Sequence, residues 1–368
     1  MRKTIFVAAT GQHVGKTTST LGLVANLKEM GLNVGYCKPV GQQHVDVDGM
    51  IADKDAVLFA EVLGFNLDPV LHSPVILGDG ITAEFIDHPG QFEFNERLDY
   101  AAAELSRLHD VVVYEGTGHP GVGSVVGLSN ADVARRLNAS VVMIAEGGIG
   151  STIDRLAMSL SLFREQKVPI VGVIVNKVLP EKLEKIQHYL GKRLGQMGLP
   201  VLGVLPYDKS LSFPIMEAVK QAVRGHVVYN EEKLGNRVEE IVSGSLIGTE
   251  ELKSFRNVLL VVSHKRLDEA IGKIKWIAAA KGMTDNPLSG VIITGDGRHE
   301  FPLEDTDASV GYLLQNEIPV LTTALDTLGS VIKISRIEVK INTRTPWKVQ
   351  RAIELIREHI PMQSLLGI

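Results

Sequence analysis

A single cysteine, Cys37, in 368 residues leaves no partner for an intramolecular disulfide and no means of building a cysteine-based zinc cluster. Such a chain suits a reducing compartment, and a cytoplasmic location is expected. Apolar runs are short: none approaches the ~18 residues of a membrane span. The stretch after Met1-Arg2-Lys3 is too brief for the core of a secretory signal, so a soluble protein without a membrane partner is expected. Long basic tracts are also missing. With 38 Lys and Arg against 43 Asp and Glu, the formal charge of −5 offers nothing to attract nucleic acid. The eleven histidines have no metal-ligand spacing, and no Ser, Thr or Cys stands in a recognisable nucleophile context.

What the chain does contain is a phosphate-binding signature near its start. Ala9-Thr10-Gly11-Gln12-His13-Val14-Gly15-Lys16-Thr17-Thr18 lies between an apolar run, Thr4 to Ala9, and a stretch rich in Leu, Ala and Val. A loop of this type turns successive backbone N–H groups toward a phosphate. The helix that follows adds its positive end, while Lys16 and Thr17 reach the outer phosphates and Mg²⁺. The strict pattern has its first glycine five positions before Gly15, where this chain carries Thr10, so the loop is a variant form. A chance Gly-Lys-Thr in a turn is the bland alternative. The strand-like run before the loop and the helix-like run after it favour the phosphate reading.

The length suggests two domains, by a prior of about 100–200 residues each. Up to residue 206, Val- and Ile-rich runs at 4–9, 33–38, 110–115, 139–145, 169–175 and 200–205 alternate with helical patterns at 17–30, 53–64, 90–109, 151–167 and 180–197. This alternation predicts a parallel sheet covered by helices on both faces. After Pro206 the rhythm breaks. Residues 207–257 hold only short Gly- and polar-bounded pieces, such as Gly225 to Val228 and Val242 to Ser245. An α/β pattern then resumes with strands at 258–263, 290–294 and 318–322, a helix at 267–281, and a closing helix from Thr345 to His359. The expected fold is therefore an α/β phosphate-loop NTPase-type, doubly wound, mainly parallel sheet followed by a second, smaller α/β domain. Domain limits of 1–206 and 207–330 are expected, with 331–368 packing on the second domain.

Ligands of open α/β sheets bind beyond the carboxyl ends of the strands, so residues at those ends carry most weight. Glu115 ends the run Val111 to Tyr114 and is a candidate for holding Mg²⁺ or orienting a nucleophile. Lys38 could neutralise a terminal phosphate or an acyl phosphate. Asp46, Asp48, Asp53 and Asp55 form an acidic cluster after it, of which Asp53 and Asp55 are favoured as a second metal ligand, and a solvated turn is the alternative. Asn176 and Lys177 follow another apolar run. The amide could pair with a purine edge and the lysine stem could cover its ring.

The loop through Thr17, then Tyr36-Cys37-Lys38-Pro39-Val40, Val113-Tyr114-Glu115-Gly116-Thr117 and Val175-Asn176-Lys177, resemble in order and spacing the dethiobiotin synthetase family. The resemblance covers residues 1 to about 206. It extends to the ATP-dependent cobyrinic acid diamide synthases and to the amino-terminal regulatory part of long phosphotransacetylases. It implies an ATP and Mg²⁺ site with Lys16, Thr17 and Lys38 near phosphates, Thr17, Asp53 or Asp55 and Glu115 near metal, and Asn176 near adenine. Residues 210 to 325, including Ser243-Gly244-Ser245 and Val291 to Gly297, look like the DRTGG domain that follows in the long phosphotransacetylases.

Two functions fit this resemblance. The first is a Mg²⁺–ATP-binding regulatory or ligand-sensing protein. The second is an ATP-dependent ligase that forms an acyl or carbamoyl phosphate and passes it to an amine. Glutamine hydrolysis is not expected from a lone cysteine beside Lys38, nor acetyl transfer from a chain ending at Ile368. Nucleotide, an unidentified small-molecule ligand or second substrate, and a second copy in a homodimer are the expected partners.

Overall fold

The computed structural model describes residues 3–244, 255–295 and 308–366. Its two compact units are Met1–Asp208 together with Ile341–Ile368, and Lys209–Lys340. Among the described residues no helix is long and apolar enough to cross a membrane.

The first unit is built on six strands: β1 Lys3–Ala9, β2 Val34–Cys37, β3 Val111–Glu115, β4 Ser140–Glu146, β5 Ile170–Val178 and β6 Val201–Pro206. They pair in the order β6-β5-β4-β1-β3-β2, all parallel. Residues Ile5 to Ala9 are all buried, which explains why β1 reads as a continuous apolar run. Period-two geometry splits that run between two cores. Ile5, Val7 and Ala9 pack with Leu21, Leu23 and Val24 of α1 (Lys16–Glu29) on one face. Phe6 and Ala8 join Leu98 of α3 (Phe94–Leu108), Leu156 and Leu160 of α5 (Gly150–Glu165) and Leu190 of α6 (Leu183–Gln196) on the other. Between β1 and its neighbours β3 and β4 the strand order reverses, so the loop after β1 opens at the switch point where such sheets bind ligands.

Two elements have sequence signals that the periodicity reading passes over. Asp48 and Gly49 form the two-residue turn of a hairpin, His44–Val47 against Met50–Asp53, with positive φ at both turn residues. The hairpin spreads the acidic cluster: Asp46 and Asp48 lie at and near its turn, whereas Asp53, at its far end, caps α2 (Lys54–Leu63). A capping box at Ser129 and Asp132 starts α4 (Asn130–Arg136).

In the second unit, β7 His226–Tyr229, β8 Glu240–Ser243, β9 Val258–Ser263, β10 Leu288–Thr294 and β11 Val320–Thr323 pair in the order β7-β11-β10-β9-β8, with β7 antiparallel at the edge. The short pieces at 225–228 and 242–243 thus belong to the edge strands of a sheet. One face packs on α8 (Leu267–Ala280) and α9 (Ala308–Gln315). The other packs on α7 (Met216–Val223) and α10 (Thr327–Ser335). Ser245, Asp296 and Gly297 of the DRTGG-like segments lie outside the described residues.

The closing helix, α11 (Pro346–His359), expected with the second domain, groups with the first unit. Its apolar face, Ala352, Leu355 and Ile356, is buried. Ile356, with Ile360 and Leu365 beyond the helix, enters the core lined by α1. The seam depends on close approach at Gly22, where a Cβ would lie 2.5 Å from Ile356 Cγ1 and 2.6 Å from the Ala352 carbonyl oxygen. Asn26 Nδ2 donates to the Ile353 carbonyl at 3.0 Å, and Arg357 pairs with Glu29. Amphipathic spacing makes α11 recognisable as a helix, but the partner for its face is set by Gly22, far away in sequence.

Gly22→Ala provides a test of this seam. In an exposed helix the change would stabilise by roughly 1 kcal/mol. Here overpacking against a backbone carbonyl, typically ~1–3 kcal/mol, should outweigh that gain and lower the thermal midpoint by a few degrees in calorimetry. A raised midpoint would show that α11 does not pack there.

Candidate functional site

The loop after β1 keeps its shape through contacts from β4 and β5. Thr10 N–H donates to the Ile144 carbonyl at 3.0 Å and continues the ladder between β1 and β4. Its φ is not positive, nor is that of Gly11, so a non-glycine residue is accommodated where the strict pattern has glycine. Gly15 is different. It caps α1 at φ +89°, and a Cβ there would lie 2.2 Å from Asn176 Nδ2, so only glycine fits. Asn176 donates to the Val14 carbonyl at 2.9 Å and accepts from the Lys177 N–H at 2.8 Å. Lys177 donates to the His13 carbonyl. Both residues therefore grip the loop itself, a role that spacing alone does not reveal. Gln12 and His13 are exposed at its tip, whereas Val14 is buried beneath it and Thr18 is half-buried in the first turn of α1.

Beside the loop lies a completely buried carboxylate. Glu115, the last residue of β3, is 0% exposed. Its Oε1 accepts from Lys16 Nζ at 2.9 Å, Thr17 Oγ1 at 2.7 Å and Lys38 Nζ at 3.2 Å, while Oε2 accepts from Tyr36 OH at 3.1 Å. The β1, β2 and β3 registers bring these residues together, since Val7 pairs with Glu115 and Cys37 with Tyr114. Lys38 also donates to Asp55 Oδ2 at 2.6 Å and to the Gly116 carbonyl at 3.3 Å. Asp53 is buried; its Oδ1 accepts from Asp55 N–H at 2.9 Å, and its carboxylate fills the space above Gly41.

Electrostatics follows this geometry. Burial pushes the Glu115 carboxyl up, but the ammonium groups of Lys16 and Lys38 overcome it and hold it at about 2. Burial pushes Lys38 down, yet Glu115, Asp55 and Asp53 together keep it protonated well above the usual lysine range. For Lys16, with one close carboxylate, burial prevails and the ammonium is lowered. Burial raises Asp53 to about 6, with Asp55 and Glu115 adding to the rise against Lys38. Among the sequence candidates, Lys16, Thr17, Lys38, Asp55 and Glu115 thus converge on one cluster, with Asp53 alongside. Asp46 and Asp48 stand apart on the hairpin. Tyr36 is the member that sequence reasoning missed: its apolar neighbours mark it as core, and it is stacked on Phe59 with centroids 3.7 Å apart. Only the strand register shows that its hydroxyl reaches Glu115.

Among the described residues no three or more His, Cys, Asp or Glu side chains form a metal cage. One carboxylate and one hydroxyl beside a phosphate loop nonetheless suit Mg²⁺, which takes most of its coordination from phosphates and water.

Comparison with known proteins gives the chain's relationships. A phosphate acetyltransferase from Nitrosomonas europaea is 25% identical over 376 residues, covering 99% of this chain and 51% of that protein. One from Pseudomonas aeruginosa is 25% identical over 383 residues, covering 98% and 51%. A probable cobyric acid synthase from Methanocaldococcus jannaschii is 26% identical over 243 residues, covering 58% and 47%. The chain spans about half the length of these curated relatives. Among solved structures, the MinD cell division protein of Aquifex aeolicus overlaps 57% of this chain and 84% of its own, at 15% identity and a TM-score of 0.38. Residues 3–214, more than half of the chain, match the AAA domain family, and the chain belongs to that family.

Proposed function

We propose that the first unit binds Mg²⁺–ATP and that the chain is a regulatory or ligand-sensing protein akin to the amino-terminal region of long phosphotransacetylases. The observation that carries the reading is the convergence of Lys16, Thr17 and Lys38 on buried Glu115 beside a glycine-capped helix N-terminus. Glu115 engages the donors that a triphosphate would take. Nucleotide binding would exchange these partners, with Lys16 meeting the phosphates and the Gly11–Thr18 backbone supplying N–H donors. Mg²⁺, held by Thr17 and Glu115 with Asp55 or Asp53 as a further acid, would neutralise phosphate charge. Lys38 stays an ammonium and adds a second positive charge outside the loop. Asn176 and Lys177, which hold the loop, would be the residues offered to the base. The proposal extends to the second unit as a DRTGG-type domain that carries the sensing role, and to a cytoplasmic homodimer.

A second reading is supported by Lys38, which lies outside the loop, is only 3% exposed and is held protonated by three carboxylates. Such a fixed charge suits an acyl or carbamoyl phosphate made by an ATP-dependent ligase. The readings separate by turnover: amine or carboxylate substrates that stimulate ATP consumption at least tenfold support the ligase, and unstimulated turnover supports the regulatory protein.

Two variants test the site. Lys16→Ala removes a charge-assisted contact of roughly 1.5–3 kcal/mol, so ATP affinity measured by calorimetry should fall about 10- to 100-fold or more. Glu115 keeps Lys38, Tyr36 and Thr17 as partners, and the fold should persist. Unchanged affinity in the folded variant would remove the phosphate-loop assignment. Glu115→Gln should retain ATP binding but lose most of its Mg²⁺ dependence; normal metal dependence would make Glu115 purely structural.

Glu115 also makes stability depend on pH. Its carboxyl lies at about 2 in the fold against an ordinary 4.5, so folding favours the ionised form. The contribution is complete above pH ~4.5 and is lost as pH falls toward ~2. Denaturant unfolding at stepped pH should show this loss in the parent protein and a flatter profile in Glu115→Gln. Parallel profiles would contradict the assignment.

A further inference from the structure

Lys348 is the buried charge that the nucleotide site does not use. It is 1% exposed, and its Nζ has no hydrogen-bond partner among the described residues. Burial holds its ammonium down at about 8, and no carboxylate offsets that effect. The lysine also occupies an unfavourable position. It lies in the first turn of α11, behind Thr345 and Pro346, where the helix presents its positive end. No side chain caps that end: the Thr345 hydroxyl donates to the Asn342 carbonyl at 2.7 Å and accepts from Asn342 N–H at 3.0 Å instead. The Cα–Cβ bonds of a helix tilt toward its N-terminus, which directs the Lys348 side chain toward the uncapped end. On the next turn, Arg351 holds Asp208 at 2.6 Å, two residues beyond the end of β6, which places this end of α11 at the carboxyl edge of the sheet.

A buried ammonium without an acceptor and a positive helix end without a capping side chain both favour a negatively charged group. We propose that the first turn of α11 is a binding site for a small oxyanion, a phosphate or carboxylate group, with Lys348 as its principal ligand. The anion would accept from Lys348 Nζ and lie against the positive helix end. The arrangement requires no part of the loop at 11–18. Because α11 packs on α1 at Gly22 and Asn26, anion binding would tighten the seam that joins the carboxyl-terminal helix to the nucleotide-binding unit.

The chain contains two tryptophans, Trp276 and Trp347, and the second adjoins Lys348. Trp276→Phe therefore makes the emission of the full-length protein report on the first turn of α11. Titration with inorganic phosphate and, separately, acetate should change the Trp347 emission saturably with at least one of them. A response to phosphate alone supports a phosphoryl ligand, and a response to acetate supports a carboxylate. The response should persist when Lys16→Ala is added and should weaken at least tenfold when Lys348→Met is added. Methionine keeps the length of the side chain and suits the buried position, and Lys348→Gln provides a second folded variant if needed. No saturable response to either anion would overturn the proposal. So would a response that survives loss of Lys348. A response abolished by Lys16→Ala would assign the anion to the phosphate loop, leaving that reading intact and this one refuted.

Discussion

The ion cluster around Glu115 is the constraint on which the rest of the first unit depends. A carboxylate with no exposure at the end of a central strand would cost several kcal/mol if left alone. Lys16 and Lys38 offset its charge, while Thr17 and Tyr36 complete its hydrogen bonds. To supply those partners, α1 must start at the end of β1, and β2 must run beside β3 in register. Lys38 must also pass beneath the start of α2, where Asp55 meets it. The strand order and the site are therefore consequences of one another. On the proposed reading the same charges make the cluster responsive, because a triphosphate would compete with Glu115 for the donors that satisfy it.

Loop shape is the second constraint, and it rests on long-range contacts. Asn176 and Lys177, from the end of β5, hold the carbonyls of Val14 and His13, and Gly15 leaves room for the Asn176 amide. A phosphate loop of variant sequence can thus keep its form. Its conformation is imposed from β4 and β5 and needs positive φ at Gly15, not at Thr10 or Gly11.

Much of this was legible in the sequence, for identifiable reasons. The central strands are apolar runs with both faces buried, and α6 and α11 show regular apolar spacing, so their existence follows from local pattern. Lys16, Thr17, Lys38 and Glu115 were legible because an open parallel sheet places the ends of its strands along one edge. Residues whose roles depend on distant partners were not. Tyr36 reads as core until the register brings its hydroxyl to Glu115. The docking of α11 is set by Gly22 more than three hundred positions away, which led to its being expected on the other unit. Edge strands β7 and β8 stood out only as short pieces, because four residues with few buried apolar side chains leave too little sequence pattern to mark a strand. The Asp48-Gly49 hairpin and the Ser129 capping box did carry local signals and could have been found.

The central claim is that the first unit is a metal-dependent nucleotide site and not a phosphate loop retained for structure. Calorimetric titration of the purified chain with ATP, in the presence and absence of Mg²⁺ and with GTP alongside, tests it most directly. The account predicts saturable binding at one site per chain, tighter with Mg²⁺ than without and selective for adenine. No heat of binding under any of these conditions would contradict it, and would leave the buried Glu115 cluster as a structural element alone.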